Sequence, residues 1–247
     1  MVRLALAMLL FQCSIGTVND VADAGADATA KPGKPIPAGQ VPVPVAIAVA
    51  GASLLGGIGL AISVSAAAMV IGFAGVALGY AYDLGVKGTP FGWAPFALGI
   101  PLLPLFAWVG ATGTAPVAIV VLSVLAVPAG AAVAVANALP DLERDIASGV
   151  RTVATALGPE RAWRVDAGLQ AVVAGLASLT LLLVVGGRPD IRAVAIFGWS
   201  IVGLGAGVIL SGRPEVSDRQ RGWEVQAVAL GALGAGWVAA MVAAGRL

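Results

Sequence analysis

The stretch VRLALAMLLFQCSIGTVNDVADAGAD, residues 2–27, decides how the rest of the chain is read. Val2–Val18 is apolar apart from Arg3, Gln12, Ser14 and Thr17, and it is close to the ~20 residues a helix needs to cross a hydrocarbon core. Asn19, Asp23 and Asp27 then follow one another at spacings of four. On a helix such residues project from one face, so one carboxamide and two carboxylates aim the same way. Acidic side chains beside an apolar span are costly and are functional by default. The pattern returns as Asn137, Asp141 and Asp145 in NALPDLERD. A base trails each copy, Lys34 in KPGKPIPAG and Arg151 in SGVRT. One stripe alone could be a helix cap or a span ending in solvent. Two copies in matched positions point to an internal duplication, with pseudo-repeated halves of about 1–110 and 111–247 inside one membrane domain, 1–247. Facing each other, the stripes would make a pocket for divalent cations and an anion of several charges.

Composition places the whole chain in lipid. Of 247 residues, 59% are hydrophobic and 11% charged, with a mean hydropathy of +0.97, whereas a soluble domain carries about 25% charged residues. The apolar runs are continuous rather than alternating, so the fold class is all-α, a polytopic membrane helical bundle and not a barrel. About eight transmembrane helices are expected: Val2–Val18, Val43–Ser63, Ser65–Tyr82, Phe91–Val109, Ala115–Ala136, Ala167–Val185, Ala193–Ser211 and Val225–Ala244. Small residues recur through them, as lipid-embedded helix packing requires. The Trp residues, mostly near segment ends, read as interfacial anchors. The first run has the look of a signal-peptide core, but cleavage near Ala22 and Ala24 would sever the first stripe, so it reads as a span.

Charge orients the bundle. Ten of the fourteen bases fall in connections on one side, with Arg3, Arg188, Arg192 and Arg246 on the other. By the positive-inside rule the first side is cytoplasmic, which predicts a plasma (inner) membrane protein. All acids except Asp190 share that side, so the site is expected to face the cytoplasm. A net charge of +1 without a basic, aromatic-interleaved patch argues against a nucleic-acid partner. Cys13 stands alone, so no intramolecular disulfide forms. The absence of His removes the commonest general base and transition-metal ligand.

Carboxylates and carboxamides are hard oxygen ligands suited to Mg²⁺, which binds through one or two carboxylates and completes its shell with water and substrate phosphate. Asp20 lies about 100° round the helix from Asn19 and is a poorer ligand candidate. Lys87, in YAYDLGVKGTP, falls on the same side as Lys34 and Arg151. Alone it would be a topological charge; together the three read as a basic ring that clamps a diphosphate.

These motifs together resemble the UbiA superfamily of intramembrane prenyltransferases. Its first motif is similar to Asn19, Asp23 and Asp27 followed by Lys34 in KPIPAG. Its second resembles Asp141 and Asp145, then Gly149, Arg151 and Thr152, and its Tyr-to-Lys segment resembles YDLGVK with Lys87. The resemblance implies a UbiA-like fold and Mg²⁺ as cofactor. It implies transfer of an isoprenyl group from an allylic isoprenyl diphosphate to a lipophilic, most often aromatic acceptor, as in quinone or related lipid biosynthesis. Asp23, Asp27, Asp141 and Asp145 would be the catalytic metal ligands, with Asn19 and Asn137 assisting. Asn19, Lys34, Lys87, Asn137 and Arg151 would bind diphosphate, with the isoprenyl tail open to membrane lipid. Two departures stand out. The family usually has nine helices, and the one before the first acidic motif is absent, so either the start is misplaced or the member is shortened. Lys34 stands where Arg is frequent, keeping charge but losing bidentate geometry. A small secondary transporter is the alternative from another class, although the acids gather at one face rather than the midplane. An inactive or cyclase-type relative is the alternative within the family.

Overall fold

The computed structural model describes residues 1–185 and 190–247, which leaves Arg188 outside the described residues. The chain is all helical: α1 Val2–Ala30, α2 Val43–Ile62, α3 Ala66–Ala81 with a π-helical turn Tyr82–Val86, α4 Trp93–Gly99, α5 Leu102–Thr112, α6 Val117–Ala138, α7 Leu142–Ala147, α8 Val153–Leu157, α9 Pro159–Val185, α10 Ile191–Ser211 and α11 Val216–Ala243. Among the described residues, eight helical stretches are long and apolar enough to cross a membrane, one for each predicted segment.

The helices overrun the apolar runs. α1 continues past Val18 through the acidic stripe, and α9 and α11 begin in charged sequence at Pro159 and Val216. A helix closes its own backbone hydrogen bonds whatever its side chains, so hydropathy marks the lipid-facing part and not the helix end. The fourth span is two helices, α4 and α5, broken at Ile100–Pro101. Proline lacks the N–H and disfavours helical geometry in the residue before it. Local caps match the sequence. Ser65 Oγ accepts from Ala68 N at 3.0 Å at the start of α3, and Asp190 Oδ1 accepts from Arg192 N at 2.7 Å at the start of α10.

Two compact units form. The first holds Met1–Lys87 and Leu102–Ala115, the second Gly88–Pro101 and Pro116–Leu247. They differ from halves cut near residue 110 chiefly in α4, which groups with α6. The first unit is centred on Leu4, Ala7, Phe11, Ala61, Ala68, Val76 and Phe106. Phe11 meets Phe106 edge-on at 6.4 Å. Glycine makes room for it: a Cβ on Gly72 would stand 2.5 Å from Phe11, and one on Gly57 2.7 Å.

The second unit packs Val173, Ala177, Leu204, Leu233, Trp237 and Met241 between α9, α10 and α11. Trp237 is fully buried and donates from Nε1 to Thr180 Oγ1 at 2.9 Å, so it is a core residue and not an interfacial anchor. Gln226 ties the three helices together. Its Nε2 donates to Asp166 Oδ2 and Ser211 Oγ, each at 2.9 Å, and its Oε1 accepts from Gln170 Nε2 at 2.6 Å. Buried polar groups need such partners because desolvation without a hydrogen bond is costly.

Close approach is tightest between α4 and α6, where a Cβ on Gly130 would lie 2.2 Å from the Phe96 carbonyl oxygen. That obstacle is backbone and cannot rotate away. Gly130→Ala is therefore expected to destabilise the protein by about 1–3 kcal/mol, read as a lowered Tm in detergent. Gly51→Ala, where a Cβ meets nothing within 4 Å, is expected to leave Tm unchanged or raise it.

Candidate functional site

The first acidic set lies on the last turns of α1, and three side chains from elsewhere in the same unit, Lys34, Asp83 and Lys87, meet it. Lys34, in the turn after α1, places Nζ 2.8 Å from Asp20 Oδ1 and 2.7 Å from Asp27 Oδ2. The contact to Asp27 is an ion pair outside hydrogen-bonding geometry, and Oδ2 accepts no hydrogen bond. Lys87, at the end of the π-helical turn, donates to Asp23 Oδ2. Asn19 Nδ2 donates to Asp83 Oδ1 at 2.7 Å. The structure thus gathers Asn19, Asp23, Asp27, Lys34 and Lys87 into one cluster. It adds Asp20, which the helical angle had set aside as a ligand, and Asp83, which motif reading passed over. The Tyr80 hydroxyl lies apart from these groups, 2.7 Å from Ser14 Oγ, which donates to Ala50 O.

Asp20, and after it Asp27, hold the Lys34 ammonium well above the ordinary lysine range. A raised base contributes stability that is complete below its ordinary pKa of about 10.4 and is lost as pH climbs through the raised value. The Lys34 pairs therefore persist across physiological pH.

The second set is built differently. α6 ends at Ala138 and α7 begins at Leu142, so Asn137, Asp141 and Asp145 do not share one continuous helix face as the spacing predicted. Pro140 supplies the reason, since it has no N–H to continue the ladder. Asp141 sits at the N-cap of α7 and makes no side-chain cap hydrogen bond there. Asp145 N donates to Asp141 O at 2.9 Å, so the two Asp keep a one-turn relation while Asn137 belongs to the helix before. Arg144, left aside by the motif, lies 2.9 Å from Asp141 and 3.8 Å from Asp145. α7 closes in a Schellman turn: Val150 N donates to Asp145 O at 2.8 Å and Gly149 N to Ile146 O at 3.1 Å, with Gly149 at φ 68°. This is the geometry glycine favours, and it carries the chain to Arg151, which is exposed.

Glu143 lies between the two acids of α7 and points to another partner. It receives a two-pronged hydrogen bond from Arg219 on α11, at 2.8 and 2.6 Å. The guanidinium is 7% exposed although Glu143 is 62% exposed, and it holds the Glu143 carboxyl below the usual range. Arg219 is thereby an anchor for the short helix that follows Asp141 and carries Asp145.

Among the described residues, no three His, Cys, Asp or Glu side chains converge on one point; the carboxylates of the first set hold lysines instead. The donor chemistry nevertheless fits a hard cation. Every candidate ligand is an oxygen, and Asp27 Oδ2 and Asp83 Oδ2 are buried without a hydrogen bond.

The chain matches the UbiA prenyltransferase family over residues 1–225. It belongs to that family. Chlorophyll synthase from Arabidopsis thaliana is 32% identical over 157 residues, 59% of this chain and 41% of the relative. Digeranylgeranylglyceryl phosphate synthase from Methanopyrus kandleri is 28% identical over 204 residues, 83% of this chain and 74% of that protein. The chain thus spans about two fifths of the chlorophyll synthase it resembles. The apo structure of a UbiA homologue from Aeropyrum pernix K1 superposes with TM-score 0.74 at 16% identity, over 97% of this chain and 89% of the other. A UbiA homologue from Archaeoglobus fulgidus, bound to DMAPP and Mg²⁺, gives 0.71 at 19%, over 96% and 87%. These structural likenesses carry the fold; family membership, with eight helices among the described residues long and apolar enough to cross a membrane, makes this an integral membrane protein.

The left-handed residue after α7 gives a direct check on the second set. Gly149→Ala is expected to cost about 1–2 kcal/mol, while Gly149→Asn, which tolerates that conformation, costs less. Thermal unfolding of both variants in detergent measures the difference; equal melting would mean the turn does not hold α7.

Proposed function

We propose that the protein transfers an isoprenyl group from an allylic isoprenyl diphosphate to a lipophilic, most often aromatic acceptor, with Mg²⁺ as cofactor. One observation carries the reading: in a UbiA family member, the first acidic set gathers its carboxylates with two lysines at the end of a membrane helix. The chlorophyll synthases and the digeranylgeranylglyceryl phosphate synthase among the relatives support it, as does the DMAPP and Mg²⁺ bound to the A. fulgidus homologue.

Asp23 and Asp27 in the first unit, and Asp141 and Asp145 in the second, are assigned as metal ligands, with Asn19 and Asn137 adding carbonyl oxygens. Mg²⁺, when bound, neutralises the diphosphate as it leaves. Lys34 and Lys87 exchange carboxylate oxygens for diphosphate oxygens, which suit an ammonium equally well. Arg151 adds a fork of donors from beyond Gly149. The allylic C–O bond breaks with its electron pair on the departing diphosphate. The acceptor then bonds to the allylic carbon and gives up one proton, which the diphosphate takes. The isoprenyl tail stays in the apolar phase around the spans throughout. The asymmetry of bases assigns the site to the cytoplasmic face of the plasma membrane.

Full-length protein in nanodiscs, given Mg²⁺, geranylgeranyl diphosphate and a panel of aromatic acceptors, is expected to release diphosphate in an acceptor-dependent, chelator-sensitive way. Asp23→Ala and Asp141→Ala are each expected to reduce release to background while the protein stays inserted with an unchanged Tm. Near-normal release from both variants, or release unaffected by chelator, would overturn the assignment.

A further inference from the structure

Asp83 takes no part in the chemistry above, yet it is placed with care. The residue is buried, 8% exposed, in the π-helical turn Tyr82–Val86. That turn closes with Lys87 N donating to Tyr82 O at 2.8 Å, a five-residue step. Single π-turns recur at functional sites because the wider turn re-aims side chains. Here two side chains of the turn, four residues apart, reach α1 at two residues also four apart. Asp83 meets Asn19, and Lys87 meets Asp23. The two rungs are of opposite sense: in one the turn accepts, in the other it donates.

We propose that Asp83 is a positioning residue that sets which way the Asn19 carboxamide points, and so makes Asn19 an oxygen ligand for the cation. This rests on the reading of the first acidic set as a Mg²⁺ site. A carboxylate has only acceptors to offer, so a carboxamide beside it must turn its NH₂ group inward. The Asn19 Nδ2 to Asp83 Oδ1 hydrogen bond of 2.7 Å does so. That leaves the Asn19 carbonyl oxygen at the other end of the amide plane. Without a fixed partner, the two amide orientations are nearly equivalent, and one of them presents N–H groups to a cation. Partners that orient a metal ligand in this way typically change metal affinity by about 10- to 100-fold when lost. Burial makes the constraint firm, because a low-dielectric surrounding strengthens the bond and penalises its loss.

The test uses the full chain in detergent with Mn²⁺ as a spectroscopically visible stand-in for Mg²⁺, and no substrate. Asp83→Leu is expected to weaken Mn²⁺ binding about 10- to 100-fold, with the metal-free Tm unchanged. Asn19→Asp alone sets two carboxylates against each other and is also expected to weaken binding. Adding Asp83→Asn to Asn19→Asp should restore it, because the new carboxamide at position 83 donates to the new carboxylate at position 19. A residue that merely supported the fold would move Tm and would gain nothing from the exchange. If Asp83→Leu does not fold, the exchange pair decides by itself. Failure of the double variant to recover affinity, with Asp23→Ala weakening Mn²⁺ binding as expected, overturns this inference alone. An Asp23→Ala variant that binds Mn²⁺ as the parent does overturns the metal reading and this inference with it.

Discussion

Water does not reach the backbone inside a hydrocarbon core, so each N–H and C=O there must find its partner along its own helix. The rest of the structure depends on that constraint. It makes the chain all helical, and irregular backbone falls at the span ends or, where Pro101 interrupts the ladder, inside the fourth span. The break at Ile100–Pro101, the stop at Pro140 and the wide turn at Tyr82–Val86 are the places where α-helical geometry yields. Two of the three lie beside residues assigned to chemistry. Charged residues follow the same economy. They gather in the connecting turns and towards the ends of helices, and where they are buried they are held by partners, as Arg219 is by Glu143 and Asp166 by Gln226.

Electrostatics explains why the first set can exist in this protein. Asp20, Asp23 and Asp27 crowd three carboxylates onto about two turns of α1, a self-repelling arrangement. Lys34 and Lys87 relieve it from two different loops. The same ammonium groups suit a diphosphate, so the charges that hold the set together are also those able to exchange for substrate. The second set solves its repulsion with a nearer base, Arg144, and fastens its short helix to α11 through Glu143. The two copies are therefore alike in sequence pattern and different in construction.

The spans were legible because their signal is composition over some twenty residues, which lipid imposes directly. The first site cluster was legible for a related reason: within one uninterrupted helix, spacing by four is geometry. The second set shows where that rule stops, since Pro140 lies inside the pattern and divides Asn137 from Asp141 across two helices. Asp83 was within the quoted YDLGVK segment, but nothing in the spacing tells that a five-residue turn aims it at Asn19. Trp237 lies inside the apolar run Val225–Ala244, and its burial depends on which face of α11 packs against α9.

What the sequence by itself determined was the all-helical membrane class, the eight spans, and the acids and bases that the motifs single out. These follow from local chemistry: apolar length, helical periodicity and the cost of charge in lipid. Only the tertiary structure decided the pairings of Lys34 with Asp20, Lys87 with Asp23, Asn19 with Asp83 and Arg219 with Glu143. Each joins residues on different helices or loops, and a contact between them is set by how close helix backbones approach. That approach rests on which glycine faces which neighbour, as Gly72 faces Phe11 and Gly130 faces Phe96. Glycine is abundant throughout this chain, so its count alone cannot say which of its positions is a contact.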